Sequence, residues 1–292
     1  MFELYISVVT RRNRDAGVVV PPVRCEALEP RRLLAGYSLA VLSDLDSSTG
    51  TTAQSPLILD AEGNLYGVTT QGGSESGGTL FELLSGQHVA TPVATFGGVR
   101  EQSFFGGLVE DQAGDLFGTI REGGSAGVGS IFELPVGGTV QDFATFPDPS
   151  TVGVYPFREL TLYQPAGGAA GLELYGVTQS GGVNSDGTIF DVSGGSSPQV
   201  GLVVTFPGGI GELGTALARD AAGDLFGTTT HGGPQDAGTI FEAPAGGGVF
   251  LSRASFNTAN GANPQGAMLL DPATGVFYGV TETGGDDGDG TI

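Results

Sequence analysis

Strand-sized apolar pieces separated by Gly- and Asp-rich breaks run through most of this chain, and their order recurs. The most regular piece is Leu65-Tyr66-Gly67-Val68-Thr69, preceded by Gly63-Asn64 and followed by Gly72-Gly73 and then by Gly78-Thr79-Leu80-Phe81-Glu82. Four further copies centre on Gly118, Gly176, Gly227 and Gly279, so the central glycines lie 51, 58, 51 and 52 residues apart. A period near 50 suits a four-stranded propeller blade, and a unit of that size buries its faces only by stacking on neighbours.

Each copy offers four strands. The first ends in Ala94-Thr95-Phe96, Ala144-Thr145-Phe146, Val204-Thr205-Phe206 and Ala254-Ser255-Phe256, with Leu39-Ala40-Val41-Leu42 as a weaker first member. The second is apolar, as in Leu57-Ile58-Leu59 and Leu160-Thr161-Leu162, and leads into a short turn such as Asp60–Asn64. Asp can bond its own backbone in such a turn and Gly accepts positive φ, so these breaks join antiparallel neighbours. The third strand is the Leu-Tyr-Gly-Val-Thr piece, and the fourth is the Gly-Thr-Ile-Phe piece.

Glycine inside a strand marks close approach by something bulky. An aromatic from the next blade is the expected visitor, and Phe81, Phe132, Phe190 and Phe241 are expected in the core. The third copy is longer by seven residues, an excess placed in loops at Pro147–Pro156 and Gln164–Gly171.

The expected fold is therefore all-β: a propeller-like ring of about five four-stranded repeats, with a linear β-repeat array as the alternative. The repeats fall at about 37–86, 87–137, 138–195, 196–246 and 247–292, the last stopping two residues into its fourth strand. That abrupt end leads us to expect a longer natural reading frame or an unclosed ring.

Residues 1–36 are different in kind and are read as a leader outside the fold. Six of the 11 basic residues, all of them arginine, lie there with only four of the 32 acids. The repeats are thus strongly acidic, a field that repels a phosphate backbone and argues against nucleic-acid binding. The lone Cys25 precedes the repeats, so no internal disulfide framework exists. No apolar run reaches the roughly 18–20 residues of a membrane-spanning helix.

Two resemblances follow from these residues. Leu28-Glu29-Pro30-Arg31-Arg32-Leu33-Leu34 resembles the L-E-P-R-x-L-L motif at the start of many large bacterial surface or exported proteins. The unit G-N-L-Y-G-x-T-x-x-G-G followed by G-T-x-F resembles the GloVer tandem repeat over residues 37–292. Departures are Phe at 117 and 226, Ser at 130, and Gly275-Val276 in the fifth copy. The resemblance implies an exported repeat protein, placed outside the cytoplasm or on the cell surface, and supplies no catalytic residues.

Function in a pseudosymmetric array belongs where the symmetry breaks. The pair before each double glycine varies between copies, and from it Gln71, Arg121, Glu122, Gln179, Thr230, His231 and Glu282 form a candidate ligand-binding rim. Solvated loop ends are the plainer reading of the same positions. His231 and His88 sit in different parts of their repeats, so no zinc set is visible. Asp286, Asp287 and Asp289 on a Gly-rich turn are the candidate calcium ligands, although they lack the spacing of an EF-hand loop. A solvated turn is again the plainer reading. No nucleophile elbow or phosphate-cradling loop is present. The expectation is non-catalytic binding or display, with a glycan or cell-surface partner and no cofactor unless calcium. The alternative is an extracellular polysaccharide hydrolase or lyase that gathers its residues from several blades.

Overall fold

The computed structural model describes residues 41–53, 55–97, 106–124, 126–147, 149–164, 171–193, 197–210 and 216–292. The chain divides into two units, Met1–Ala40 and Val41–Ile292. The leader motif and Leu39-Ala40 lie outside the described residues.

The second unit is all-β, with no helix among the described residues. Its sheets are antiparallel and follow the repeat. In the first, Ile58–Leu59 pairs with Leu65–Gln71, which pairs with Ser76–Leu83, which pairs with Thr91–Gly97. The second sheet runs Val109–Glu110, Leu116–Ile120, Ser130–Leu134 and Gln141–Thr145. The third runs Thr161–Tyr163, Glu173–Ser180, Thr188–Ser193 and Gln199–Thr205, and the fourth Ala218–Arg219, Leu225–Thr229, Thr239–Ala243 and Leu251–Ser255. The fifth copy forms two separate pairs, Leu269–Asp271 with Val276–Tyr278 and Ala262–Pro264 with Thr281–Thr283. Four sheets are complete and the fifth is split.

Sheet and sequence repeat are out of phase by one strand. The piece ending Ala94-Thr95-Phe96, expected to open the second copy, is the last strand of the first sheet, and the same holds for its equivalents. Val41 and Leu42 are exposed and belong to no strand. A further short strand was not anticipated: Thr51–Ala53, Val154–Pro156 and Ala262–Pro264 each pair with the far end of strand three. Part of the expected loop Pro147–Pro156 is therefore strand.

Stacking of consecutive sheets makes the core. Val68, Leu80 and Phe96 of the first sheet pack with Leu108, Leu116 and Phe132 of the second. Phe117, Ile131 and Phe146 meet Leu160, Leu174 and Phe190, and Val177, Ile189 and Phe206 meet Leu217, Leu225 and Phe241. The same aromatic joint recurs at each step: Phe96–Phe132, Phe146–Phe190 and Phe206–Phe241, with ring centroids 5.8, 4.9 and 5.9 Å apart. Each buried Phe contributes about 1.5–3 kcal/mol relative to exposure. The result is a propeller-like succession of blades.

The strand-three glycine is explained within this joint, with one correction. Gly67, Gly118, Gly176 and Gly227 are the direct cross-strand partners of Phe81, Phe132, Phe190 and Phe241. The ring that covers each glycine comes from the same sheet, and in the second, third and fourth sheets the aromatic of the preceding sheet packs on that ring. A Cβ at Gly176 would lie 2.4 Å from Phe190 Cζ and 3.0 Å from Leu160 Cδ2. Beside each such Phe, the pairing to the last strand shifts by one residue, a bulge found in all four sheets.

Candidate functional site

The end of strand three carries a repeated polar scaffold. Thr69, Thr178, Thr229 and Thr281 accept the backbone N–H of Thr79, Thr188, Thr239 and Thr291 at 2.9–3.1 Å, and their hydroxyls meet the partners' hydroxyls at 2.9–3.0 Å. The hydroxyls of Thr79 and Thr188 donate on to Thr49 O and Val152 O, tying the entering chain to the hairpin. The double-glycine loops close identically: Gly78, Gly129, Gly187, Gly238 and Gly290 N–H donate to Gly72, Gly123, Gly181, Gly232 and Gly284 O at 2.9–3.2 Å. Positive φ at both members of the pair in copies one, three, four and five explains why glycine recurs there. Buried polar groups require partners, so these threonines and glycines are spoken for by the architecture.

The second copy departs from the scaffold. Ile120 stands where the others have threonine, and Ser130 Oγ, the partner position, is buried without a hydrogen bond. Arg121 and Glu122 follow directly. Arg121 Nη2 and Nε donate to Gln179 Oε1 at 2.7 and 3.3 Å, and Nη1 donates to Glu122 Oε1 at 2.6 Å. The guanidinium also lies 5.0 Å from the Tyr155 ring centroid. Three predicted rim residues from two repeats thus converge, half-buried, around one planar cation. Such cation–π contact contributes about 0.5–2 kcal/mol.

Tyr155 was missed by the sequence reading, which placed it in a loop; an aromatic within the long third copy was the available signal. It adopts φ 60°, a strained region for a bulky residue, as do Thr52 (61°) and Asn263 (53°) at the equivalent place. This conformation accompanies hydrogen bonds from Tyr155 N to Val128 O and from Asn263 N to Ala237 O, which stitch one repeat to the one before.

The other predicted residues have settings of their own. Gln71 is exposed, opposite Thr51 at the strand end. Thr230 is buried, with its hydroxyl 3.0 Å from His231 Nδ1, and the exposed His231 donates its backbone N–H to Ile210 O. Glu282 is exposed and accepts from Gln265 Nε2 at 3.4 Å. Asp286, Asp287 and Asp289 are exposed on the fifth double-glycine loop. Among the described residues, no three His, Cys, Asp or Glu side chains are placed to hold a metal ion. No helix among them is long and apolar enough to cross a membrane.

At the other side of the third repeat, Glu159 has no counterpart in the other copies, which hold Pro56, Gly107, Ala216 and Ala267 there. Burial pushes its carboxyl above the ordinary value of 4.5.

The repeat of the Gloeobacter/Verrucomicrobia family matches residues 31–173 and 163–292. No curated protein matches the chain. Among solved structures, the chain is similar to a gluconolactonase from Xanthomonas campestris at 13% identity and TM-score 0.44, over 74% of this chain and 65% of that one. It is also similar to a protein of unknown function from Dyadobacter fermentans, at 12% identity and TM-score 0.46, over 74% and 71%. A third likeness is to a β-fructofuranosidase from Bombyx mori, at 12% identity and TM-score 0.43, over 80% and 55%.

Proposed function

We propose, starting from the fact that the chain belongs to the Gloeobacter/Verrucomicrobia repeat family, that it is a non-catalytic binding or display protein working outside the cytoplasm. One observation carries this reading. Nearly every repeated residue has a structural task, whereas Arg121, Glu122, Gln179 and Tyr155 form a polar and aromatic cluster across two repeats where the copies differ. A guanidinium and amide beside a tyrosine face match the needs of a polyhydroxylated ligand: hydrogen bonds at the edge and stacking against the ring. A glycan of a cell surface or matrix is therefore the proposed ligand class. An acidic, lysine-free exterior is consistent with an extracellular setting, where net charge maintains solubility.

A glycan array probed with the whole chain, with and without calcium, and paired with a polysaccharide turnover screen, tests this. Calcium-independent binding to a restricted set of glycans without turnover is the expected result. Turnover abolished by chelator would establish the enzymatic alternative and overturn the proposal.

A further inference from the structure

The opposite ends of the sheets, where the Asp turns lie, hold a second break in symmetry, and it concerns charge. Between the third and fourth sheets Arg219 projects from the fourth across to the third. Its guanidinium lies 3.4 Å from the Tyr163 ring centroid and 3.9 Å from Glu173 Oε2. Tyr175 completes this setting, donating its hydroxyl to Glu173 Oε2 at 2.9 Å, and burial together with Glu173 pushes its pKa up to about 12.

In repeat register, Arg219 corresponds to Glu110, Tyr163 to Asp60, Glu173 to Asn64 and Tyr175 to Tyr66. The matching place between the first and second sheets is an open groove of about 880 Å³, lined by Asp60, Glu62, Tyr66, Glu82, Glu110 and Asp111 among others. Its described lining contains no Arg, Lys or His. Where one interface carries its own guanidinium, the other presents carboxylates around a tyrosine and an unfilled volume. The electrostatics agree. Burial raises the Glu110 carboxyl above its ordinary value, and Asp60, Glu62 and Asp111 raise it further. Tyr66 is raised by burial and then by Asp60 and Glu82. Both groups report negative charge that no basic residue in the described lining neutralises.

We propose that the groove between the first and second sheets binds an arginine side chain presented by a basic peptide of a partner protein. The guanidinium stacks on Tyr66, the counterpart of Tyr175, and meets Glu110 and Asp60, which stand where Arg219 and Tyr163 stand two sheets further on. A planar, weakly hydrated cation is favoured over an ammonium, because only the former stacks and pairs with carboxylates through two N–H groups at once. A compact metal ion is disfavoured by the geometry, since no three carboxylates converge on one point. This site lies at the strand ends away from the rim and stands independently of the glycan reading.

The test is calorimetric titration of the whole chain with a short arginine-rich peptide, a lysine-rich peptide of the same length, and calcium chloride. Two variants accompany it: Glu110→Arg, which places a guanidinium in the groove at the position equivalent to Arg219, and Glu110→Gln, which keeps the size of the side chain. The expected result is salt-sensitive binding of the arginine peptide, tighter than that of the lysine peptide. Binding should weaken by about tenfold or more in Glu110→Arg, equal to 1.4 kcal/mol or more. Glu110→Gln should weaken it less, and Glu110→Arg should melt no lower than wild type. Equal binding of both peptides, calcium binding that displaces them, or unchanged affinity in both variants would overturn the proposal.

Discussion

Replacing the strand-three glycine by alanine should separate the packing argument from backbone preference, because the repeats contain their own control. At Gly176 an added Cβ would sit 2.4 Å from Phe190 Cζ and 3.0 Å from Leu160 Cδ2. Carbon atoms rest at about 3.5–4.0 Å, so one of these groups must move. Phe190 is fully buried and held edge-on by Phe146 at 4.9 Å, so moving it disturbs the joint between two sheets. Overpacking of this kind costs about 1–3 kcal/mol, set against about 0.5–1 kcal/mol gained by removing glycine from a strand. At Gly279, between the two short strands of the split fifth copy, the same Cβ would meet nothing nearer than Met268 Cγ at 3.7 Å, leaving only the gain from a less flexible unfolded chain. The net cost is up to about 2.5 kcal/mol, so Gly176→Ala should lower the melting temperature by as much as roughly 10 °C, at about 2–4 °C per kcal/mol for a domain of this size. Gly279→Ala should leave it unchanged or slightly raised. Scanning calorimetry reads both, and hydrogen exchange across Thr188–Ser193 localises the first. Equal effects at the two sites would refute the claim that the glycine exists to admit the phenylalanine ring.

Two further outcomes follow. Thr178→Val leaves the buried Thr188 N–H without its acceptor and should cost about 1–3 kcal/mol in chemical denaturation, whereas Ser130→Ala removes a hydroxyl that has no partner and should stay within about 0.5 kcal/mol. Glu159 has a folded pKa raised above its unfolded value near 4.5, so its contribution to stability is full below that value and lost as pH rises through the folded pKa. Glu159→Gln should consequently melt higher than wild type at neutral pH, with the gain vanishing in melts recorded below about pH 4.5.

Much of the architecture was legible because identical residues recur at identical spacing: the central glycine, the following phenylalanine and the double-glycine loop all hold the positions their chemistry demanded. Three things were not legible. The phase of the sheets was hidden because the strand ending Ala94-Thr95-Phe96 is as apolar as an opening strand would be, and only pairing with Ser76–Leu83 assigns it to the earlier sheet. The source of the covering aromatic was hidden because Phe81 lies both in the next strand and near the next blade, and cross-strand register decides between them. Thr51–Ala53 and its equivalents carry two threonines, a tyrosine and prolines with no common pattern, so pairing with strand three gave no repeat signal. At the rim, spacing pointed to the variable pairs but not to which would meet. Arg121 reaches Gln179 because neighbouring sheets lie face to face, and Tyr155 joins them through a backbone conformation that tyrosine seldom adopts.

The central claim, that binding resides where the repeats differ, is tested most directly by levelling the rim. Arg121→Thr installs the residue that the first and fourth copies hold at this position, Thr70 and Thr230, and removes the contacts to Gln179, Glu122 and Tyr155 together. Applied to the glycans selected by the wild-type chain, the variant should lose binding by about tenfold or more, with its melting temperature held within about 2–4 °C. Undiminished glycan binding by a folded Arg121→Thr protein would contradict the account.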